Sequence, residues 1–244
     1  MSIESDEVPI LYSDDSILVV NKPPGLLAHR SKIAAGETDD LLTRLRAQTG
    51  RGSLRLVHRL DRATSGVVLC CDNKEAHVKL GHAFEHRQVD KSYLAVARGW
   101  PEERSGLIDH PLSGERKNSP QKAAQTRYRM IDGCELPWPS GRWPTSRYAL
   151  IETNPLTGRY RQIRRHLKHL GHPLIGDTSF GKGDHNRLFR MHLGVHRMLL
   201  HAQRLSFDHP DSGERLTIKA PLDADWGKVL ELFDNAVPVA SSSS

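Results

Sequence analysis

The sequence predicts an α+β protein built on a mixed or antiparallel sheet with flanking helices. Three observations carry this. Short apolar or alternating runs recur from Ile17 to Ala220. Segments of helical period lie among them irregularly, so no train of βαβ units forms. No fixed-period repeat and no linker divides the 244 residues, which suffice for one large or two small domains.

Ile17-Leu18-Val19-Val20 reads as a buried strand, ended by Asn21-Lys22-Pro23-Pro24-Gly25, because two prolines cannot continue a central ladder. Asp40–Gln48 carries Leu41, Leu42 and Leu45 at helical spacing, with Gly50 as a stop. Val67–Cys70 predicts a second strand. A helix follows from Asp72 or Asn73 to about Arg87, with Ala76, Leu80, Ala83 and Phe84 as its apolar stripe. Lys91–Arg98 alternates, Tyr93, Ala95 and Ala97 facing one way and Ser92, Leu94 and Val96 the other, which predicts a strand.

Pro101, Gly106, Pro111, Gly114 and Pro120 break any period between 101 and 125, and Glu115-Arg116-Lys117-Asn118 is charged. This stretch predicts a long surface connection holding at most a short strand pair. Strands resume at Gln125–Ile131 and Ser146–Thr153, across the Pro- and Trp-rich loop Leu136–Thr145. Leu199–Phe207 and Leu216–Ala220 are further strands. Asp225–Phe233 closes as a helix, with Trp226, Val229, Leu230 and Phe233 at i, i+3, i+4 and i+7. The ends, 1–8 and Ser241–Ser244 with the residues from 234 that precede them, are expected to be flexible.

A net charge of +6 and a pI near 9.3 favour a polyanionic partner, nucleic acid before membrane. Cys70, Cys71 and Cys134 make neither a disulfide framework nor a zinc spacing, and they fit a reducing cytoplasm. The acidic, polar start Met1–Val8 does not read as a signal peptide, and no apolar run approaches the roughly 18 residues of a membrane helix. No phosphate-binding loop and no dinucleotide fingerprint is present, so ATP and NAD chemistry lack support.

The densest chemistry lies in His58-Arg59-Leu60-Asp61-Arg62-Ala63-Thr64-Ser65-Gly66. A carboxylate between two arginines stays ionised and can act as nucleophile or base, and the arginines suit phosphate. The same pattern also fits an ordinary ion pair or Asx turn. A second segment, Thr157–Pro173, holds Arg159, Arg161, Arg164, Arg165 and Lys168 and no acid. Tyr160, Ile163, Leu167 and Leu170 share a helical face, with Gly171 and Pro173 as stops. At about 100° per residue, Arg161, Arg165 and Lys168 fall opposite that stripe and can meet phosphates, while Arg164 falls at its edge, where a stem can pack and a fork can aim into a cleft. A solvated basic face fits the charge pattern equally well. Tyr93 is a core residue by its strand position, or an aromatic face for a base. His82 and His86, His192 and His196, and His166, His169 and His172 have metal-like spacings, but no H-E-x-x-H motif or cysteine pair accompanies them, so no metal is expected.

Taken together these segments resemble the RluA-type pseudouridine synthases. His58–Gly66 is similar to the family's signature, Asn21–Gly25 to its first motif, and Lys91-Ser92-Tyr93-Leu94-Ala95 to the segment with the active-site tyrosine. Gly158–Asp177, closing in Pro173-Leu174-Ile175-Gly176-Asp177, resembles the motif with the buried arginine, and Leu200-His201-Ala202 with Phe207-Asp208-His209-Pro210 resembles the family's end. The resemblance spans residues 9–233 and implies one catalytic domain around a mixed, mainly antiparallel sheet with flanking helices and loops, with RNA in a basic cleft across it. It implies that Asp61 is the catalytic aspartate and Arg164 the arginine that pairs with it. Tyr93 would pack on the target base and accept a proton, and Arg62 would enter the RNA stack as the uridine flips out. Arg59, Arg159, Arg161, Arg165 and Lys168 are the further RNA-binding candidates. Uracil leaves C1′, rotates and rejoins through C5, with no redox step or energy input, so no cofactor is expected. Ser140–Tyr148, Arg164–Leu167 and the His-rich stretch to His201 resemble members acting on a T-stem uridine of certain tRNAs. A monomer in the cytoplasm is expected. Ribosomal RNA is the alternative substrate; a non-catalytic RNA-binding module and a histidine-based metal hydrolase are the competing readings. Arg161 stands where the family usually has His, a change expected to affect backbone contacts more than chemistry. No further N-terminal RNA-binding domain is evident, so substrate choice is expected to rest on 101–125 and 136–145.

Overall fold

The computed structural model describes residues 7–29, 39–116 and 118–234. The expected flexible ends 1–6 and 235–244, and Lys117 of the charged loop, lie outside the described residues. The chain folds as two compact units, one of residues 1–91 and 202–221, the other of residues 92–201 and 222–244.

In the first unit the apolar run at Ile17 becomes a strand because every side chain from Ile17 to Val20 finds cover. Here β1 (Ile10–Ser13), β2 (Ile17–Lys22), β3 (Arg55–Leu56) and β4 (Ser65–Cys71) join β11 (Leu200–Asp208) and β12 (Arg215–Lys219). The order is β1-β2-β4-β11, with β12 on β11 and β3 on β4. The strand β2 pairs antiparallel with β4 from Ile17 opposite Cys71 to Lys22 opposite Gly66. It therefore runs through Lys22, two residues past the predicted stop. β4 is buried along its whole length. One face of it, Val67, Leu69 and Cys71, packs with Ile17, Val19, Leu205 and Phe207 and with Ala76 and Leu80 of α2 (Lys74–Glu85).

Both predicted helices of this unit form with the chemistry expected of their ends. In α1 (Leu41–Thr49) Asp40 caps the first turn by accepting from the Thr43 N–H, and Gly50 takes φ 71° at the other end. In α2 the cap is Asn73, whose side chain accepts from the Ala76 N–H at 2.7 Å.

The second unit orders β5 (Asp90–Arg98), β10 (Ser146–Pro155), β9 (Gln125–Leu136) and β6 (Ser105–Asp109) side by side, each pair antiparallel. Two details differ from the sequence expectation. β6 is a strand of this sheet, paired with β9, whereas 101–125 predicts a surface connection; the expected short pair is also there, as β7 (Leu112–Ser113) with β8 (Gln121–Lys122). β9 runs five residues past Ile131 because the register shifts: Asp132 faces Leu150 and Met130 faces Ile151, leaving Ile131 as the extra residue of a bulge.

Three helices belong to this unit: α3 (Gln162–His169), α4 (Gly183–Leu193) and α5 (Ala224–Asp234). Its core gathers Trp138, Tyr148, Phe189, Leu199, Trp226, Val229 and Phe233. The cysteines are all buried and reduced. Burial pushes the Cys71 thiol up to about 11 and that of Cys134 to about 12, which makes them inert packing groups.

Candidate active site

The Asp61 turn is fastened to the Asn21–Gly25 turn by side chains the prolines alone do not reveal. Lys22 is fully buried, and its ammonium donates to the carbonyls of Pro23 (2.8 Å), Leu26 (2.8 Å) and Arg62 (3.1 Å). The Gly25 N–H donates to the Arg62 carbonyl at 2.9 Å, and Arg62 Nε returns a bond to the Gly25 carbonyl at 2.8 Å. Asp61 is half-buried, and its own carbonyl accepts from the Thr64 N–H at 3.0 Å, closing the turn. Gly66 then leaves at φ 113°, and a Cβ there would lie 2.2 Å from the Ala202 carbonyl oxygen. Only glycine gives β4 this start. The turn that presents Asp61 is thus held at both ends by the backbone.

His58 opens the same segment. Its Nε2 accepts from the Leu69 N–H at 3.1 Å, and its ring stacks on Phe84 at 4.8 Å. Burial, with the Lys91 charge adding to it, pushes the imidazole down to about 3. It is therefore a neutral ring with its proton on Nδ1. Arg59 and Arg62 are both exposed, but Arg62 spends Nε on Gly25.

In the second unit Tyr93 lies on β5 opposite Thr153 and is half-buried, whereas Leu94 to Ala97 are buried. Next to it Ser92 donates to Glu152 at 2.8 Å, and Glu152 also takes Arg129 at 2.7 Å.

Arg164 is buried on α3 and forks onto Asp177, Nε to Oδ2 at 2.7 Å and Nη2 to Oδ1 at 2.8 Å. Asp177 also accepts from the backbone N–H groups of Ser179 and Phe180, at 2.8 and 3.0 Å. Burial pushes its carboxyl up, but the Arg164 fork and charge and the two backbone bonds outweigh that and hold it below the ordinary carboxylate range. Such a bidentate pair fixes the guanidinium plane and leaves Nη1 outside the pair.

The remaining basic residues divide into several roles. Arg161 is not on the helix but caps it, at φ 50°, with its guanidinium over the Tyr160 ring. Tyr160 likewise precedes α3, so the predicted four-residue stripe reduces to buried Ile163 and Leu167. Gln162 replaces a capping side chain: it accepts from the Arg159 N–H and donates to the Gln125 carbonyl and Thr126 hydroxyl, all at 2.9 Å. Arg165 reaches the Ser113 carbonyl at 2.6 Å, Arg159 the Ala123 carbonyl at 3.0 Å, and His166 Nε2 lies 3.0 Å from the His110 carbonyl. These groups anchor the 110–123 loop to α3. Lys168 is exposed, 5.6 Å above the Phe180 ring. Among the described residues no three His, Cys, Asp or Glu side chains gather as metal ligands. His110 stacks on His169 and His192 on Trp138.

The motif residues therefore sit on rigid supports, and the family profile described as RNA pseudouridylate synthase matches residues 16–169. The chain belongs to the RNA pseudouridylate synthase family. The match includes Asp61, Tyr93 and Arg164 and ends before Asp177. The synthase is 41% identical over 237 residues to the tRNA pseudouridine synthase C of Vibrio parahaemolyticus, covering 93% of this chain and 96% of that one. It is 42% identical over 234 residues to the protein of that name from Pasteurella multocida, covering 92% and 96%. Among solved structures it superposes on human RNA pseudouridylate synthase domain containing 1 with a TM-score of 0.70 at 25% identity, covering 98% of this chain and 100% of that one. Human RNA pseudouridylate synthase domain containing 4 gives 0.70 at 24%, covering 95% of each. The mainly antiparallel α+β fold is that of pseudouridine synthases, and the synthase is an isomerase acting on RNA. Among the described residues no helix is long and apolar enough to cross a membrane.

Sequence reasoning missed two supports of the site. Lys22 lies in a segment that reads as a strand stop and as the family's first motif, with no role for the lysine itself; its signal is a lysine just beyond the apolar run Ile17–Val20. Asp177 closes the motif with the buried arginine, and the sequence assigns it no role; its signal is a lone acid just beyond a segment without acids.

Proposed function

We propose that this synthase converts a T-stem uridine of tRNA to pseudouridine, with Asp61 as the catalytic carboxylate. The observation that carries the tRNA reading is the whole-length likeness to relatives named for that substrate, at about 40% identity over more than nine-tenths of both chains. The reaction breaks N1–C1′ and forms C5–C1′; the C5 proton is lost and N1 gains one, so the product is an isomer of the substrate. The buried faces of a stacked uridine must first be exposed by flipping, at a cost of a few kcal/mol. Asp61, on a turn held at both ends, attacks or assists glycosidic cleavage. Tyr93 stacks on the base and takes the C5 proton. Arg164, held in one plane by Asp177, serves as a fixed positive charge. Arg62 fills the gap in the stack, and Arg59, Arg159, Arg161, Arg165 and Lys168 meet phosphates, which position RNA without specifying sequence. Both compact units serve one catalytic domain, working as a monomer in the cytoplasm without a cofactor.

Asp61→Asn tests the reading. Tritium release from tRNA carrying 5-tritiated uridine is expected to fall more than about a thousandfold while tRNA binding stays within a few-fold of wild type. Near-normal release by the variant would remove Asp61 from the mechanism.

A further inference from the structure

A cavity of about 340 Å³ opens in the first unit beside the proposed catalytic turn. Leu42, Leu56 and Val57 give it an apolar wall, and Arg55 and Arg59 stand on its rim. Both arginines are exposed, and among the described residues no carboxylate pairs with either. This contrasts with Arg44, Arg51 and Arg215 of the same unit, each bound to an aspartate. His58 also lines the cavity, with one ring nitrogen committed to the Leu69 N–H and its N–H left to donate.

We infer that this cavity is a second nucleotide site, taking an unstacked nucleotide that neighbours the target uridine on the same RNA strand; the inference rests on the proposed function. Its volume is at the low end of the roughly 300–1,000 Å³ of small-molecule sites, which suits one nucleotide rather than a larger ligand. The chemistry matches the three parts of a nucleotide. Aliphatic walls take the faces of a base, two exposed guanidiniums take the phosphates on either side, and a neutral imidazole N–H meets a base carbonyl. The position matches too. Arg59 and Asp61 are two residues apart, so their Cα atoms lie within about 7.6 Å. A strand whose uridine meets Asp61 has its adjoining nucleotides at this distance. Arg55, which no sequence motif singles out, becomes a specificity-determining residue.

The test uses full-length protein and tRNA transcripts in which each of the three nucleotides on either side of the target uridine is replaced in turn by an abasic residue. Wild type is expected to bind one of these about tenfold more weakly than the intact transcript. Leu42→Trp, which fills the cavity, should bind intact tRNA about tenfold more weakly and lose the discrimination at that position, raising KM with little change in kcat. Arg55→Glu, an exposed change that leaves the fold intact, should show the same loss if Leu42→Trp fails to fold. No sensitive position, or full discrimination retained by Arg55→Glu, overturns the inference and leaves the cavity to a ligand other than RNA. If the abasic pattern holds but no pseudouridine forms in any RNA, the second site stands and the proposed function falls.

Discussion

Asp61 and Arg164 are set up in opposite ways. The carboxylate sits half-buried on a turn whose rigidity comes from backbone bonds and from the Lys22 ammonium. The guanidinium is buried, and a bidentate pair with Asp177 helps fix its plane. Replacing Asp177 by Asn removes the charge from a buried bidentate pair with Arg164, so a loss of about 3–5 kcal/mol of stability at pH 7 is expected. The folded-state pKa of Asp177 is depressed, so its contribution is fully present above the unfolded value near 4 and lost as pH falls through the folded one. Chemical denaturation of both proteins from pH 7 to 3 should show a constant gap above about pH 4 that narrows below it. A gap independent of pH would mean that the charge on Asp177 is not what holds Arg164. The two arginines flanking Asp61 make a second contrast. Arg62 is the proposed wedge, although its Nε is committed to Gly25, while Arg59 stands on the rim of the neighbouring cavity. Arg62→Ala should lower the rate on folded tRNA at least tenfold and recover on a short single-stranded substrate that needs no extrusion. If Arg59→Ala shows that pattern and Arg62→Ala does not, the roles exchange.

At the scale of elements, the start of β4 is the most constrained point of the site. Gly66→Ala forces a Cβ into the Ala202 backbone at a φ that L-residues avoid, so a loss of about 3 kcal/mol or more is expected, read as the denaturation midpoint. A variant as stable as wild type would show that β4 can shift. What the sequence revealed at this scale followed the strength of local signals. α1, α2 and α5 were legible because capping side chains or an unbroken apolar face marked them. α4 was not: His185 and Phe189 are its only buried side chains, and Lys182 at its N-cap makes no side-chain cap. β6 was hidden because Ile108 alone of its five residues is buried, so its only cue is a partner strand. The helical wheel placed Arg164 at a buried edge, as found, but misplaced Arg161, because a left-handed cap residue ends the helix where the wheel continued it. The site residues were legible as motifs. Their supports were not, since Lys22 and Asp177 act through contacts that no local pattern encodes.

The molecule as a whole carries +6 on 244 residues, and part of that charge is structural. Arg159 and Arg165 hold backbone carbonyls of the 110–123 loop, and Arg164 holds Asp177. In the proposed function the exposed basic residues, including Arg55, Arg59, Arg62 and Lys168, would supply most of the RNA attraction, and Arg159 and Arg165 would meet phosphates while holding the loop. The loop anchored by α3 is also one of the stretches expected to choose the substrate; if it does, α3 would link the buried arginine to that choice. The central claim is that this isomerase acts on tRNA through Asp61. Its most direct test is pseudouridine mapping of total tRNA and rRNA from cells lacking the protein, with wild type or Asp61→Asn restored. One T-stem uridine is expected to be left unmodified, rescued by wild type and not by the variant. Intact T-stems with a lost ribosomal site, or rescue by Asp61→Asn, would contradict it.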